Sequence, residues 1–284
     1  MYPKISIVMP TYNQDKYIER AILSVINQNY PNKEFIIVDN LSTDETKDII
    51  EKYSSKIDIY IREKDTGQSN AINKGFKIAT GEFLTWLNSD DILLPDTLLK
   101  MAHLHLSNNQ LEWITGNIIW ITKNDKILKC RKGEDFNNYL ANRLLALAYG
   151  PSTFIHKNLI IKYGLLREDM HYMMDTEMWM RLLINHVKFV RLDNYCWGFR
   201  IHEDAKMSGH NFKKSELSQK DHPSHKQKEK EKKILAELYY SKFPSNIFIK
   251  FYFYFTKFTS IKYIKGFFDQ FLMKGKNIYK IYEK

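Results

Sequence analysis

The chain is poor in the residues that staple or anchor a fold. It has two cysteines in 284 residues, Cys130 and Cys196, too far apart for metal-ligand spacing. That excludes a disulfide scaffold and a zinc ribbon, and both residues read as reduced thiols of a cytosolic protein. No stretch approaches the roughly 20 apolar residues of a spanning helix. Met1-Tyr2-Pro3-Lys4-Ile5 enters a strand at once, with no secretory apolar region. Internal repeats are absent, which excludes a solenoid. Glycine is missing where it would matter most: the first strand-to-helix turn, Met9-Pro10-Thr11-Tyr12-Asn13-Gln14, contains none and carries no Gly-Lys-Ser/Thr. That excludes the glycine-rich phosphate cradle of dinucleotide enzymes and P-loops. What the chain does have is an ordinary 44% of apolar residues, enough for a core, and a formal net charge of +10. Such a charge calls for an anionic partner: nucleic acid, a lipid headgroup or a phosphorylated substrate.

The first hundred residues alternate strand and helix patterns. Ile5 to Met9, Phe35 to Val38, Ile57 to Ile61 and Phe83 to Leu87 are apolar runs of strand length. Between them, Tyr17 to Ile26 is amphipathic, a helix runs to about Tyr53 with Ser42 or Thr43 as its N-cap, and Ser69 to Ala79 is helical. Gly81 suits a left-handed cap after that third helix. This alternation predicts an α/β fold with a doubly wound, mostly parallel sheet. From Trp113 the elements are mixed. Trp113 to Thr122 and Ile127 to Cys130 pair as a hairpin, Leu140 to Ala148 reads as helix, Asp175 to Asn185 is a helix and Phe189 to Leu192 a strand.

In such a sheet, ligands gather beyond the carboxyl ends of the strands. There the chain places Thr11-Tyr12-Asn13, Asp39, Asp65 to Ser69, and Trp86-Leu87-Asn88-Ser89-Asp90-Asp91. Two adjacent carboxylates raise each other's pKa unless a cation or polar ligand shares them. Oxygen ligands favour Mg²⁺ or Mn²⁺ beside substrate phosphates. The alternative is that Asp90 or Asp91 caps the helix from Thr97 to Leu106, which Pro95 and Asp96 open. Tyr12 could stack on a nucleobase, and Asp39 could accept from an imino N–H or serve as a turn aspartate.

Four segments stand in order: Ser6-Ile7-Val8-Met9-Pro10-Thr11-Tyr12-Asn13, Ile37-Val38-Asp39-Asn40-Leu41-Ser42-Thr43-Asp44, Gly67-Gln68-Ser69-Asn70-Ala71-Ile72-Asn73-Lys74-Gly75 and Trp86 to Asp91. Together they resemble the family 2 glycosyltransferases of GT-A fold, over residues 1 to about 210. The resemblance implies a Rossmann-like sheet and transfer of a sugar from a nucleotide-diphosphate donor, commonly a UDP-sugar. It implies that Thr11, Tyr12, Asn13 and Asp39 hold the base, and that Gln68, Asn73 and Lys74 lie beside the ribose and diphosphate. Of Asp90 and Asp91, one would meet the ribose and the other the divalent metal, Mn²⁺ or Mg²⁺, with Asp91 favoured for the metal and Asp90 the alternative; relatives often have an acid at the place of Asn88. Met174-Asp175-Thr176-Glu177-Met178-Trp179-Met180-Arg181-Leu182 resembles the segment carrying the catalytic base, which falls on Asp175; Met174 replaces the usual glutamate. Phe199-Arg200-Ile201-His202, followed by Ser208, resembles a segment closing over the diphosphate. There His202 would ligate metal and Arg200 neutralise phosphate charge.

Residues 213–233 are almost free of apolar side chains and read as a polar linker, or a solvated helix, the linker reading holding to about Glu229. Residues 234–284 form a basic, aromatic extension, with Phe267, Phe268 and Phe271 among eleven aromatics between Phe248 and Phe271 and lysines threaded through them. That extension reads as helices packed on the main domain or as an interfacial helix on anionic lipid. The expected protein is an inverting, metal-dependent glycosyltransferase of the hexosyltransferase type, residues 1–212, with a helical basic-aromatic extension. Its expected partners are a UDP-sugar and a glycan or lipid-linked acceptor, with no nucleic acid, in the cytoplasm or at the inner face of the membrane. Rival readings are a nucleotidyltransferase and a non-enzymatic module binding membrane or nucleic acid.

Overall fold

The computed structural model describes residues 1–108, 111–133, 148–206, 223–242 and 261–282. β1 (Ile5–Thr11), β2 (Lys33–Asp39), β3 (Ile59–Arg62) and β4 (Phe83–Trp86) pair in parallel in the order β3-β2-β1-β4. α1 (Ile18–Ile26), α2 (Thr46–Lys52) and α3 (Gln68–Ile78) connect them. β1 and β2 are buried on both faces, as a parallel central strand must be. Their side chains alternate between two cores. Val8, Ile36 and Val38 join Ala71, Ile72 and Phe76 of α3, whereas Ile7, Met9, Phe35 and Ile37 join Ile18, Ala21, Ile22 and Val25 of α1. A period of two in the strands thus feeds helices on both sides, at roughly 1.5–3 kcal/mol per large side chain buried. The chain reverses its winding between β1 and β4, which opens a crevice at their carboxyl ends.

The second half extends the same sheet with β5 (Ile92–Leu93), β6 (Trp113–Thr122), β7 (Ile127–Arg131), β8 (Thr153–His156) and β9 (Val190–Ile201). The path continues β4-β8-β6-β9-β5, and β7 forms the expected hairpin with β6. α4 (Thr97–Ser107), α5 (Lys157–Tyr163) and α6 (Met174–Ile184) cover it. The fold is α/β with one curled sheet, parallel through its first four strands and mixed beyond them, and a helical C-terminal region follows. Both cysteines are free and buried. Of the helix predicted at Leu140 to Ala148, residues 140–147 lie outside the described residues.

Local expectations change at four places. α2 has Glu45 at its N-cap position with no side-chain cap bond; Ser42 and Thr43 do not cap it, because the Ser42 hydroxyl donates to Asp39 Oδ1 at 2.5 Å. Gly81 is not a left-handed cap. It is small because a Cβ there would lie 2.5 Å from Ser6 Oγ and 2.7 Å from the Ser6 nitrogen. Asp90 and Asp91 do not cap α4 either, since Asp96 takes the N-cap position in left-handed conformation, φ 58°. Finally, from Pro223 the polar segment is not linker but helix, α7 (Pro223–Tyr239). Nor is α7 wholly solvated: Glu231 and Leu235 are fully buried, and the Glu231 carboxylate accepts from the backbone N–H groups of His171, Tyr172 and Met173 at 2.8–2.9 Å.

α8 (Ile261–Met273) and α9 (Tyr279–Tyr282) end the described chain. α8 docks on β7, where Gln270 accepts from Cys130 N at 3.0 Å and donates to Leu128 O at 3.1 Å. No described helix is long and apolar enough to cross a membrane.

Candidate active site

A cavity of about 600 Å³ opens at the crevice beyond β1 and β4. Its walls come from parts of the chain far apart in sequence: Thr11 and Tyr12, Asn40, Asp65, Gly67 and Gln68, Asn88 to Asp90, and Asp175. Thr11 sits at the last position of β1, with a buried hydroxyl that has no hydrogen-bond partner among the described residues. An unpaired buried hydroxyl on a residue bordering a cavity is a group a polar ligand would satisfy once a small side-chain turn brings it to the surface. Tyr12 beside it is exposed, its ring free to stack.

Several residues expected to touch a nucleotide are held by partners within the frame. Asn13 adopts φ 50°, and its side-chain oxygen accepts from Thr43 N at 2.9 Å. It ties the first loop to the second and does not line the cavity. Asp39 is fully buried. One oxygen accepts from Ser42 N and Oγ, and the other from Tyr60 at 3.1 Å and Arg62 at 3.3 Å. A base could reach Asp39 only by displacing one of these partners. Asn73 is buried against the loop before α6: it donates to Leu166 O and accepts from Leu166 N. Lys74 turns away to Glu63 and to Lys64 O. α3 points its first turn, not its middle, at the cavity, so Gln68 lines it where Asn73 and Lys74 do not.

Gln68 belongs to a relay. Lys206 donates to Gln68 Oε1 at 2.9 Å, Gln68 Nε2 donates to Asn88 Oδ1 at 2.6 Å, and Asn88 Nδ2 donates to Asp91 Oδ2 at 2.8 Å. The other Asp91 oxygen accepts from Arg200 N at 2.8 Å. Asp91 is therefore wholly enclosed and does not line the cavity. Burial first, and then the neighbouring Asp90 charge, push its pKa well above the usual carboxylate range. Of the two carboxylates expected to share ribose and metal, Asp91 is thus the enclosed one. The carboxylate facing the cavity is Asp90, whose Oδ2 lies 3.2 Å from His202 Nε2.

Asp90 and His202 offer one oxygen and one nitrogen donor on converging lines, a set compatible with Mn²⁺ or Mg²⁺. The His202 ring is held by Tyr17, 4.4 Å away between centroids. No group of three or more ligating side chains occurs among the described residues, so phosphate oxygens and water would complete such a site. Arg200 does not reach for phosphate. Its buried guanidinium donates to Asp125 at 2.5 Å and to Asp90 O at 2.7 Å, which locks β9 under the acidic loop.

Asp175 stands at the second position of α6 and lines the same cavity. It is not the N-cap; Met173 is. Its Oδ1 accepts from Thr176 N at 2.6 Å. Burial raises its pKa above the ordinary aspartate value, against the lowering effect of that hydrogen bond. Glu177, two residues on, points elsewhere: it is buried in a pair with Arg181 and accepts from the Tyr239 hydroxyl at 2.8 Å. The separation in direction follows from the roughly 200° between positions i and i+2 of a helix.

Some lining residues carry no strong local signal in the sequence. Asp65 caps the glycine turn, its Oδ1 accepting from Gly67 N at 2.8 Å, and burial raises its pKa. Gly67 has φ 133° and faces His171. Lys206 and the aromatic wall of Trp120, Trp197 and Phe199 arrive from the second half. Only the turn Asp65-Thr66-Gly67 could have been read locally.

Residues 6–167 match the family description "Glycosyl transferase family 2". An uncharacterised glycosyltransferase of Methanocaldococcus jannaschii is 29% identical over 209 residues, covering 70% of this chain and 71% of that protein. The putative teichuronic acid biosynthesis glycosyltransferase TuaG of Bacillus subtilis is 31% identical over 149 residues, half of this chain and 59% of its own. Among solved structures, residues 1–349 of Staphylococcus aureus TarS with UDP superpose with a TM-score of 0.57 at 22% identity, covering 70% of this chain and 60% of that one. The Pyrobaculum calidifontis mannosyltransferase PcManGT with GDP-Man and Mn²⁺ gives 0.53 at 17% identity, covering 69% and 56%. Except for the Methanocaldococcus protein, the chain spans about 60% or less of these proteins' length. With the family description matching more than half of the chain, this protein belongs to glycosyl transferase family 2 and is a glycosyltransferase of GT-A fold.

Proposed function

We propose that this enzyme transfers a sugar from a UDP-sugar to an acceptor hydroxyl with inversion at the anomeric carbon. The observation that carries the proposal is the single cavity shared by Asp175, by Asp90 with its partner His202, and by Thr11 and Tyr12. The base stacks on Tyr12 and satisfies the Thr11 hydroxyl; Asp39 accepts its imino N–H in exchange for the Ser42 hydroxyl. Gln68 and Asp90 meet the ribose. Asn13, Asn73 and Lys74 hold the loops that place these groups.

Asp90 and His202 would hold the divalent metal, which supplies charge neutralisation on the leaving diphosphate. Asp175 accepts the proton of the acceptor hydroxyl while that oxygen bonds to the anomeric carbon and the bond to the diphosphate breaks. Its raised pKa suits it to this task, because a carboxylate in a drier place is a stronger base. Trp120 and Phe199, in edge-to-face contact with centroids 6.0 Å apart, give the cavity an aromatic wall suited to the apolar side of a sugar ring, the acceptor side. TuaG and TarS, by their names, act in teichuronic acid biosynthesis and on poly(ribitol-phosphate). By likeness to them, the acceptor here is a glycan of a surface polymer, carried on a lipid at the inner face of the membrane.

Thermal unfolding with UDP, GDP and dTDP, each with and without Mn²⁺, tests the reading. Ligand at 100 times its dissociation constant adds about 2.7 kcal/mol of stability. Mn²⁺-dependent stabilisation by UDP alone is the expected result. A shift with GDP or dTDP instead would change the donor, and no shift with any nucleotide would overturn the proposal.

A further inference from the structure

α8 is an amphipathic helix mounted the wrong way round for a soluble domain. Gly266, Asp269, Gln270 and Met273, at helical spacing, form its inward face. Gly266 lies over the Lys132 methylenes, Asp269 accepts from the Tyr195 hydroxyl at 2.8 Å, and Gln270 bonds to β7 through both of its side-chain ends. Met273 packs on the small core around Ile127. The opposite face is apolar and open: Phe267 is 68% exposed, Phe268 57%, Phe271 79% and Leu272 59%. Three phenylalanines and a leucine on one helical facet are too concentrated for chance exposure, and such patches mark a binding surface.

The charges around the patch identify its occupant. Lys265 is on the flank, 3.6 Å from Asp193, and Lys274, Lys276 and Lys280 follow as exposed residues. The neighbouring sequence from Phe248 to Phe258 continues the same mixture of aromatics and lysines, within a chain of net charge +10. A second copy of the chain would bring the same lysines against these and be repelled. An anionic lipid surface accepts both the apolar facet and the positive rim. At 13 residues α8 cannot span a bilayer, so its contact is interfacial.

We infer that the outward face of α8 (Phe267, Phe268, Phe271 and Leu272, rimmed by Lys274 and Lys276) is a docking surface for anionic membrane. The polar inward face fixes the helix to β7, so docking would orient the whole catalytic domain rather than a tethered tail. The inference stands apart from the identity of the donor.

The test is co-sedimentation of the full chain with vesicles of phosphatidylcholine alone and of phosphatidylcholine mixed with phosphatidylglycerol. The wild type, Phe267→Ser/Phe271→Ser and Lys274→Glu/Lys276→Glu are compared, with thermal unfolding as the control for folding. Both pairs are exposed, so the unfolding temperature should not move. The expected result is binding to the phosphatidylglycerol vesicles that weakens with salt and falls at least about tenfold in each double variant. Equal binding by wild type and the phenylalanine variant, or no binding by the wild type, would overturn the inference. So would a wild-type dimer in solution that the phenylalanine variant loses, since a second copy would then be the occupant.

Discussion

His202 Nε2 stands 3.2 Å from Asp90 Oδ2, across 112 residues of chain; Asp90 borders the candidate active site, and the enclosed His202 stands behind it. The pairing brings the end of β9 against the loop after β4, so one short contact joins the two halves of the domain at the place where a diphosphate would sit. His202→Ala removes a donor without disturbing the Arg200–Asp125 lock. It should weaken Mn²⁺-dependent UDP binding at least about tenfold while leaving metal-free binding nearly unchanged. Calorimetric titration of UDP at several Mn²⁺ concentrations measures both.

Asp175→Asn should lower the transfer rate by about 10²–10⁴-fold, with UDP binding retained. The pH dependence follows from the raised pKa of Asp175. Transfer should fall on the acid side at a pH above the ordinary aspartate value of about 3.9. The folded protein holds this proton more tightly than the unfolded chain. Asp175 therefore costs stability above its folded pKa, and the cost disappears as pH falls below the unfolded one. Asp175→Asn should consequently melt at a higher temperature than the wild type at neutral pH, a difference that shrinks in acid. An unchanged or lower melting temperature would argue against a strained, desolvated base.

Glu231→Ala leaves three consecutive backbone N–H groups, those of His171, Tyr172 and Met173, without their acceptor. Unsatisfied buried donors cost about 1–3 kcal/mol each. Partial hydration should keep the total near 2–4 kcal/mol. Because His171 and Tyr172 line the cavity, activity should fall with stability. Urea unfolding alongside a transfer assay checks both.

Glu34 is held ionised at the amino end of the sheet. Burial alone would raise its pKa, but hydrogen bonds from Ser6, Thr80 and Lys4 bring it down to about 2. The stability from this site is present above the ordinary glutamate pKa and is lost as pH falls through about 2. Glu34→Gln should destabilise the protein by about 2–3 kcal/mol at pH 7. The gap between variant and wild type should narrow steadily below about pH 4.5, which urea titrations at successive pH values would show.

Much of the fold is legible locally. The strands β1, β2 and β4 and the helices α1 and α3 fall within two residues of where apolar periodicity places them. The β6–β7 hairpin also falls where Trp113 to Thr122 and Ile127 to Cys130 are expected to pair. Misreadings cluster where a side chain has a competing partner. Ser42 looks like a cap until Asp39 claims it, and 223–233 looks like a solvated tether until Glu231 is seen bound to the loop before α6. Glutamate in a run of lysines carries no sign of burial.

By itself, the sequence determined that acids, hydroxyls and an aromatic ring stand at the ends of parallel strands. Strand and helix periods are short-range, and motif order is a property of the chain. Only the tertiary structure decided which of these groups face the cavity. Asp91 is enclosed because the Arg200 N–H, 109 residues away, and the Asn88 amide take its two oxygens, leaving Asp90 to His202. Asn73 and Lys74 are turned from the site because α3 is fixed at Leu166 and Glu63. The aromatic face of α8 is outward because Asp269 and Gln270 are its bonds to the domain. Each of these choices involves at least one partner outside the local motif, and proximity in space is what makes it.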